Sequence, residues 1–223
     1  MPPGPESLVG TAPATVAELL ARFGDESPPI GTAGAAVTVL LRDGEREVET
    51  LLIERTERPT DPASGQVAFP GGRVEESDSS LRKTALRELE EEVGLAEGDL
   101  AGPLRYVGTE HAARFRIRIG VFAGALSPRG GSPTALSAVE VAHIFWLPRS
   151  ELGHTQSVHR ETGLGLRPVP ATVYQGHILW GFTRRVIRQF YGLPTEDPLG
   201  GPAFAPDPSR HRGADPDASR REG

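Results

Sequence analysis

The segment from Ser79 to Val93 constrains this chain most, because it reads as one anchored helix set between β-rich runs. Leu81, Ala85, Leu89 and Val93 recur every four residues and line one face. Gly94 follows at once, where helices commonly stop. The other face is acidic: in Arg87-Glu88-Leu89-Glu90-Glu91-Glu92, the three- and four-residue spacings put Glu88 beside Glu91 and Glu92. A short loop upstream lies Phe69-Pro70-Gly71-Gly72, a glycine-rich turn whose backbone a ligand can approach closely.

The flanking sequence sets the class. Ala35 to Leu41 and Glu49 to Ile53 are β-rich and joined across Asp43-Gly44, a hairpin signal. Arg55 to Ser64 is polar with two prolines and reads as a loop. Further strands are expected at Leu104 to Thr109, Arg116 to Ala123, Val141 to Leu147, Val169 to Tyr174 and Ile178 to Trp180, with a turn-rich insert from Ser127 to Pro133. Helices are expected at Thr15 to Phe23, capped by Thr15, and at Phe182 to Tyr191. The pattern predicts an α/β fold with one main helix against a mixed sheet. Residues 1–31 read as a leader and a short helix, 32–193 as the domain, and 194–223, rich in Pro, Gly, Asp and Arg, as a disordered tail.

Composition removes several functions. The formal net charge of -6 gives no global attraction to nucleic acid or an anionic membrane, so neither is an expected partner. The chain has no cysteine, which excludes disulfides, thiolate metal sites and a cysteine nucleophile. No run approaches the roughly 18 apolar residues of a membrane span, and Met1 to Gly10 lacks the pattern of a secretory signal. A cytoplasmic protein is expected, and a homodimer stays open as an oligomeric state. The histidines at 111, 143, 154, 159, 177 and 211 show no metal-ligand spacing with a carboxylate, and His143 is expected to be structural.

Charge runs usually just face water. Here Leu89 and Val93 fix the acidic face against a core, and the glycines bring backbone to it. Three adjacent carboxylates resist ionising together without a cation, and hard oxygen donors at this density suit Mg²⁺ or Mn²⁺. Such ions neutralise a pyrophosphate and activate water for attack at phosphorus. Arg87 is placed to orient the carboxylates.

Gly72 and Asp78, followed by Arg87-Glu88-Leu89-x-Glu91-Glu92-x-Gly94-Leu95, resemble the box of the Nudix hydrolase family. Asp78 stands where the box has a glutamate, and eight residues rather than seven separate it from Arg87. The resemblance implies an α/β/α sandwich with a mixed sheet and a loop-helix-loop catalytic motif. It implies Mg²⁺ or Mn²⁺ held by Glu88, Glu91 and Glu92 with the Gly71 carbonyl, Arg87 supporting them, and hydrolysis of a small nucleoside diphosphate derivative. Glu140 resembles by position the further acidic residue, ligand or base, that such enzymes carry after the box.

Upstream, Leu51-Leu52-Ile53-x-Arg55-Thr56 and Gly65-Gln66-Val67-Ala68-Phe69-Pro70-Gly71-Gly72 are similar to the signature of the coenzyme A pyrophosphatases within that family. This implies cleavage of coenzyme A or acyl-CoA to 3′,5′-ADP and (acyl-)4′-phosphopantetheine. Arg55, Gln66, Phe69, Gly71 and Gly72 are the implied substrate-binding residues. The second arginine of the signature would fall at Thr60 or Asp61, neither of which is basic. ADP-ribose, NADH or another nucleoside diphosphate derivative is the alternative substrate, and a non-catalytic nucleotide-sensing domain is the alternative class.

Overall fold

The computed structural model describes residues 15–58, 64–112, 116–162 and 164–195. Strand β1, Ala35–Asp43, lies at its centre because its apolar run is buried on both faces. It runs parallel to β6, Ile117–Ala125, along one edge. Its other edge is divided. Leu41 to Asp43 pair antiparallel with β2, Val48–Arg55, while Ala35 to Val37 pair antiparallel with β4, Gly71–Arg73. Strands β3, Val67–Ala68, and β7, Val141–Pro148, add to β2, and β5, Arg105–Ala112, adds to β6. The seven strands form one mixed sheet, and the fork between β2 and β4 brings the diglycine into it.

Side-chain alternation sorts the core into two layers. From β1, Val37, Val39 and Leu41 pack with Val16 and Leu19 of α1, Val16–Leu20, and with Val186, Ile187 and Phe190 of α3, Gly181–Phe190. On the opposite face Ala36 and Leu40 pack with Leu81, Ala85, Leu89 and Val93 of α2, Leu81–Val93. Strand β2 follows the same rule: Leu52 joins the first layer, and Leu51 and Ile53 the second. Each fully buried aliphatic side chain contributes about 1.5–3 kcal/mol, so α2 is held to the sheet chiefly by this stripe. The expected α/β/α sandwich is the observed one.

A second sheet of three strands, β8, Gln156–Thr162, β9, Gly165–Tyr174, and β10, His177–Trp180, leads directly into α3. Three strands correct the sequence reading. The turn at Gly71 is the start of β4, β3 precedes it, and β8 was not expected. Helix α1 ends at Leu20 rather than Phe23, whose ring instead stacks on Phe190 at 5.4 Å. The expected leader and tail fall almost wholly outside the described residues. Among the described residues no helix is long and apolar enough to cross a membrane.

Candidate active site

Helix α2 is fixed at both ends. The Ser80 hydroxyl accepts from the Lys83 N–H at 3.2 Å, and Gly94 closes the helix at φ 71°, a left-handed conformation suited to glycine. Ahead of the helix, Asp78 gathers the loop. Its carboxylate accepts from the Glu75 N–H and from the Thr84 hydroxyl, both at 2.9 Å. Arg87 donates to both Asp78 oxygens, at 3.2 and 3.1 Å, to the Arg73 carbonyl at 2.9 Å, and to Glu88 and Glu91 at 3.0 Å each. The guanidinium thus ties loop, strand β4 and helix together and holds the Glu88 and Glu91 carboxylates beside it. Its hydrogen bonds to Asp78 hold that carboxyl below its ordinary value against the opposing effect of burial.

The two glycines are needed for different contacts. Gly71 has φ 154°, and a Cβ there would stand 2.4 Å from the Ala36 carbonyl oxygen and 2.6 Å from the Val37 Cα. A Cβ on Gly72 would stand 2.2 Å from Oε1 of Glu88. Gly71 makes room for β1, and Gly72 makes room for a carboxylate.

Glu92 is 2% exposed and accepts the Gly71 N–H at 2.9 Å. Arg55 stands 3.7 Å from its other oxygen. Burial, opposed by that N–H and by Arg55 and reinforced by Glu88 and Glu140, pushes the Glu92 carboxyl up to about 8. Glu88 is also raised, first by burial, against the pull of Arg87. Glu140, on the loop before β7, adds the smallest of these pushes to both. Glu91 faces outward beside Arg87. As the side chains stand, no three His, Asp or Glu groups among the described residues are arranged to hold a metal ion. The donor chemistry nevertheless fits a hard divalent cation. Two half-buried or buried carboxylates and a third nearby repel one another, and a cation between them removes that cost.

The remaining expected residues divide. Gln66 is half-buried, and its backbone carbonyl accepts the Arg55 N–H at 3.0 Å, which sets it beside the strand end that carries Arg55. Phe69 is a correction: at 2% exposure it packs in the layer under α1 and α3, with no surface to offer a substrate. Asp78 carries more than its ambiguous place in the box suggested, and the Arg73 carbonyl and Thr84 were missed. Thr84 lies four residues after Ser80 on the loop side of α2, which is the one signal that could have marked it. His177 also finds a carboxylate, Glu54 at 2.7 Å, across 123 residues, and its ring stacks on Phe145 at 4.1 Å.

The model of the NUDIX domain matches residues 32–166. The chain belongs to the Nudix family, and it is a hydrolase of the pyrophosphatase kind. Nudix hydrolases generally use divalent metal ions. The uncharacterized Nudix hydrolase NudL of Yersinia enterocolitica is 29% identical over 194 residues, 82% of this chain and 95% of that protein. The peroxisomal coenzyme A diphosphatase ndx-8 of Caenorhabditis elegans is 37% identical over 140 residues, 60% of this chain and 56% of that protein. Among solved structures, a MutT/nudix family protein from Enterococcus faecalis has a TM-score of 0.47 at 17% identity, covering 75% of this chain and 64% of that one. The NUDIX domain of Shewanella oneidensis NrtR, solved with ADP ribose, has a TM-score of 0.42 at 21% identity, covering 53% of this chain and 73% of that one.

Proposed function

We propose that this enzyme hydrolyses the pyrophosphate of coenzyme A or acyl-CoA to 3′,5′-ADP and (acyl-)4′-phosphopantetheine, using Mg²⁺ or Mn²⁺. The observation that carries the reading is buried Glu92, fixed by the Gly71 N–H where β4 meets α2 and flanked by Glu88 and Glu140. The run from Leu51 to Gly72, whose two ends resemble the coenzyme A pyrophosphatase signature, finishes at that same point, and its Arg55 lies 3.7 Å from Glu92. The similarity to ndx-8 supports the same substrate.

Glu88, Glu91 and Glu92, with the Gly71 carbonyl, are the proposed metal ligands. A divalent ion held there would neutralise the phosphate oxygens and acidify a water. Arg87 keeps Glu88 and Glu91 directed along one edge of the helix, and Asp78 keeps Arg87 in place. Glu140 is the proposed proton acceptor. As the water oxygen bonds to phosphorus its proton passes to that carboxylate, and the bridging oxygen leaves with the other phosphate.

A second reading, ADP-ribose or NADH, is favoured by the absence of an arginine at Thr60 and Asp61, which lie outside the described residues. Arg58 is committed elsewhere, to the Val139 carbonyl. Incubation of coenzyme A, ADP-ribose and NADH in water enriched in heavy oxygen, with Mg²⁺ or Mn²⁺, separates the two. The proposal expects 3′,5′-ADP and 4′-phosphopantetheine, one of them labelled. Rapid cleavage of ADP-ribose with coenzyme A left intact contradicts it.

A further inference from the structure

The loop between the turn-rich insert and β7 lies against the C-terminal end of α2. The Thr134 N–H donates to the Val93 carbonyl at 2.9 Å and the Leu136 N–H to the Glu92 carbonyl at 3.3 Å. On its other side the Thr56 N–H donates to the Glu140 carbonyl and the Thr56 hydroxyl to the Ala138 carbonyl, both at 3.0 Å. Arg58 donates to the Val139 carbonyl. The loop therefore bridges the helix that carries Glu92 and the strand that carries Arg55, and its backbone is spoken for at both ends.

Its side chains behave differently. Leu136 is 62% exposed and Val139 65% exposed. Leu136 rests over Gly94, where a Cβ would meet its carbons at 3.4 to 3.5 Å. Val139 directly precedes Glu140, whose charge acts on Glu88 and Glu92. Single exposed apolar residues need no explanation, but here two lie three residues apart on an anchored loop beside a cluster of carboxylates. Through Thr56 the loop joins the end of β2 whose Arg55 stands 3.7 Å from Glu92, so a pyrophosphate bound at those carboxylates would have this loop within reach of the group on one of its phosphates.

We propose that Leu136 and Val139 form an apolar shelf that recognises the branched alkyl group next to the pyrophosphate, the dimethyl carbon of the pantoyl unit. The inference rests on the coenzyme A reading and adds to it a basis for selectivity. In ADP-ribose or NADH the second phosphate bears a hydroxylated sugar, which gains nothing from leucine and valine and must give up water to meet them. In coenzyme A the same place is taken by a carbon bearing two methyl groups. The shelf then separates substrates by the group that the second phosphate bears and leaves the nucleotide half unread.

The products report the two halves separately. Inhibition by 4′-phosphopantetheine and by 3′,5′-ADP, and direct calorimetric binding of each, are measured for the unmodified enzyme, Leu136→Ser, Val139→Ser and the double variant. Leu166→Ser, on exposed β9, serves as the control. The expected result is binding of 4′-phosphopantetheine weakened about tenfold in the double variant, a loss on the scale of one or two apolar groups in a pocket, with 3′,5′-ADP unaffected. KM for coenzyme A rises in step, and Leu166→Ser behaves as the unmodified enzyme. Unchanged 4′-phosphopantetheine binding overturns the proposal, and so does an equal weakening of both products, which would mark the loop as merely supporting Glu140. If the unmodified enzyme does not cleave coenzyme A, the substrate reading itself has failed and the shelf falls with it. Cleavage without selective weakening refutes the shelf alone.

Discussion

Glycines 71 and 72 are adjacent in sequence but fail differently when replaced. A methyl on Gly71 meets the backbone of β1, which cannot yield, and an alanine would be strained at φ 154°, which glycine adopts freely. Gly71→Ala is therefore expected to lose roughly 2–4 kcal/mol of stability, read as a lower chemical-denaturation midpoint. A methyl on Gly72 meets only the end of the Glu88 side chain, which can swing away. Gly72→Ala is expected to keep most of the stability and lose activity, about a hundredfold or more in kcat/KM. Equal stability losses in the two variants would contradict this assignment. Glu92 gives the opposite combination. Gln at 92 still accepts the Gly71 N–H but removes a carboxyl that burial disfavours in its charged form and holds up at about 8. The melting temperature of metal-free Glu92→Gln is expected to equal or exceed that of the unmodified enzyme, while turnover falls roughly a thousandfold. A destabilised variant with normal turnover would show that Glu92 serves only the fold.

At the scale of elements, the join between loop and helix is electrostatic where the helix–sheet contact is apolar. Asp78, held low by Arg87, contributes stability that is complete above its ordinary value near 3.8 and is lost as pH falls through its lower value in the folded protein. Asp78→Asn is expected to flatten the acid limb of a melting-temperature profile below pH 4 and to leave the shape of the profile near pH 6 to 8 unchanged. An acid limb as steep as that of the unmodified enzyme would contradict the role given to this pair. By contrast Leu89→Ala, emptying a fully buried site on α2, is expected to cost about 2–5 kcal/mol at any pH in that range. Legibility in the sequence divides along the same line. Helix α2 was readable from its four-residue apolar period and from Gly94, and β1 and β2 from their aliphatic runs. Strands β3 and β4 were not, because Val-Ala and Gly-Gly-Arg are too short to show alternation and owe their strand character to pairing with β2 and β1. Strand β8 was hidden because Gln156 to Thr162 is polar and largely exposed, so nothing in its composition favours burial.

Across the whole molecule, the site arises where four separated stretches meet: the end of β2, the diglycine strand, the second half of α2 and the loop before β7. The acidic helix and the glycines were legible because they are close in sequence and their chemistry is local. The Gly71–Glu92 hydrogen bond spans 21 residues and the Arg58–Val139 contact 81, and no periodicity predicts either. Position alone suggested Glu140, and its electrostatic effect on Glu88 and Glu92 adds a second reason to count it with them. Phe69 was misassigned because a phenylalanine before a glycine turn looks the same in sequence whether it faces a ligand or the core. The account as a whole rests on a cation drawn into the carboxylates beside the diglycine. Titration of the metal-free enzyme with Mn²⁺, monitored by the loss of the free-ion paramagnetic resonance signal and repeated with Glu92→Gln, tests it most directly. The account predicts uptake by the unmodified enzyme and affinity at least about tenfold weaker in the variant. No uptake with or without nucleotide, or equal affinity in the two proteins, would contradict it.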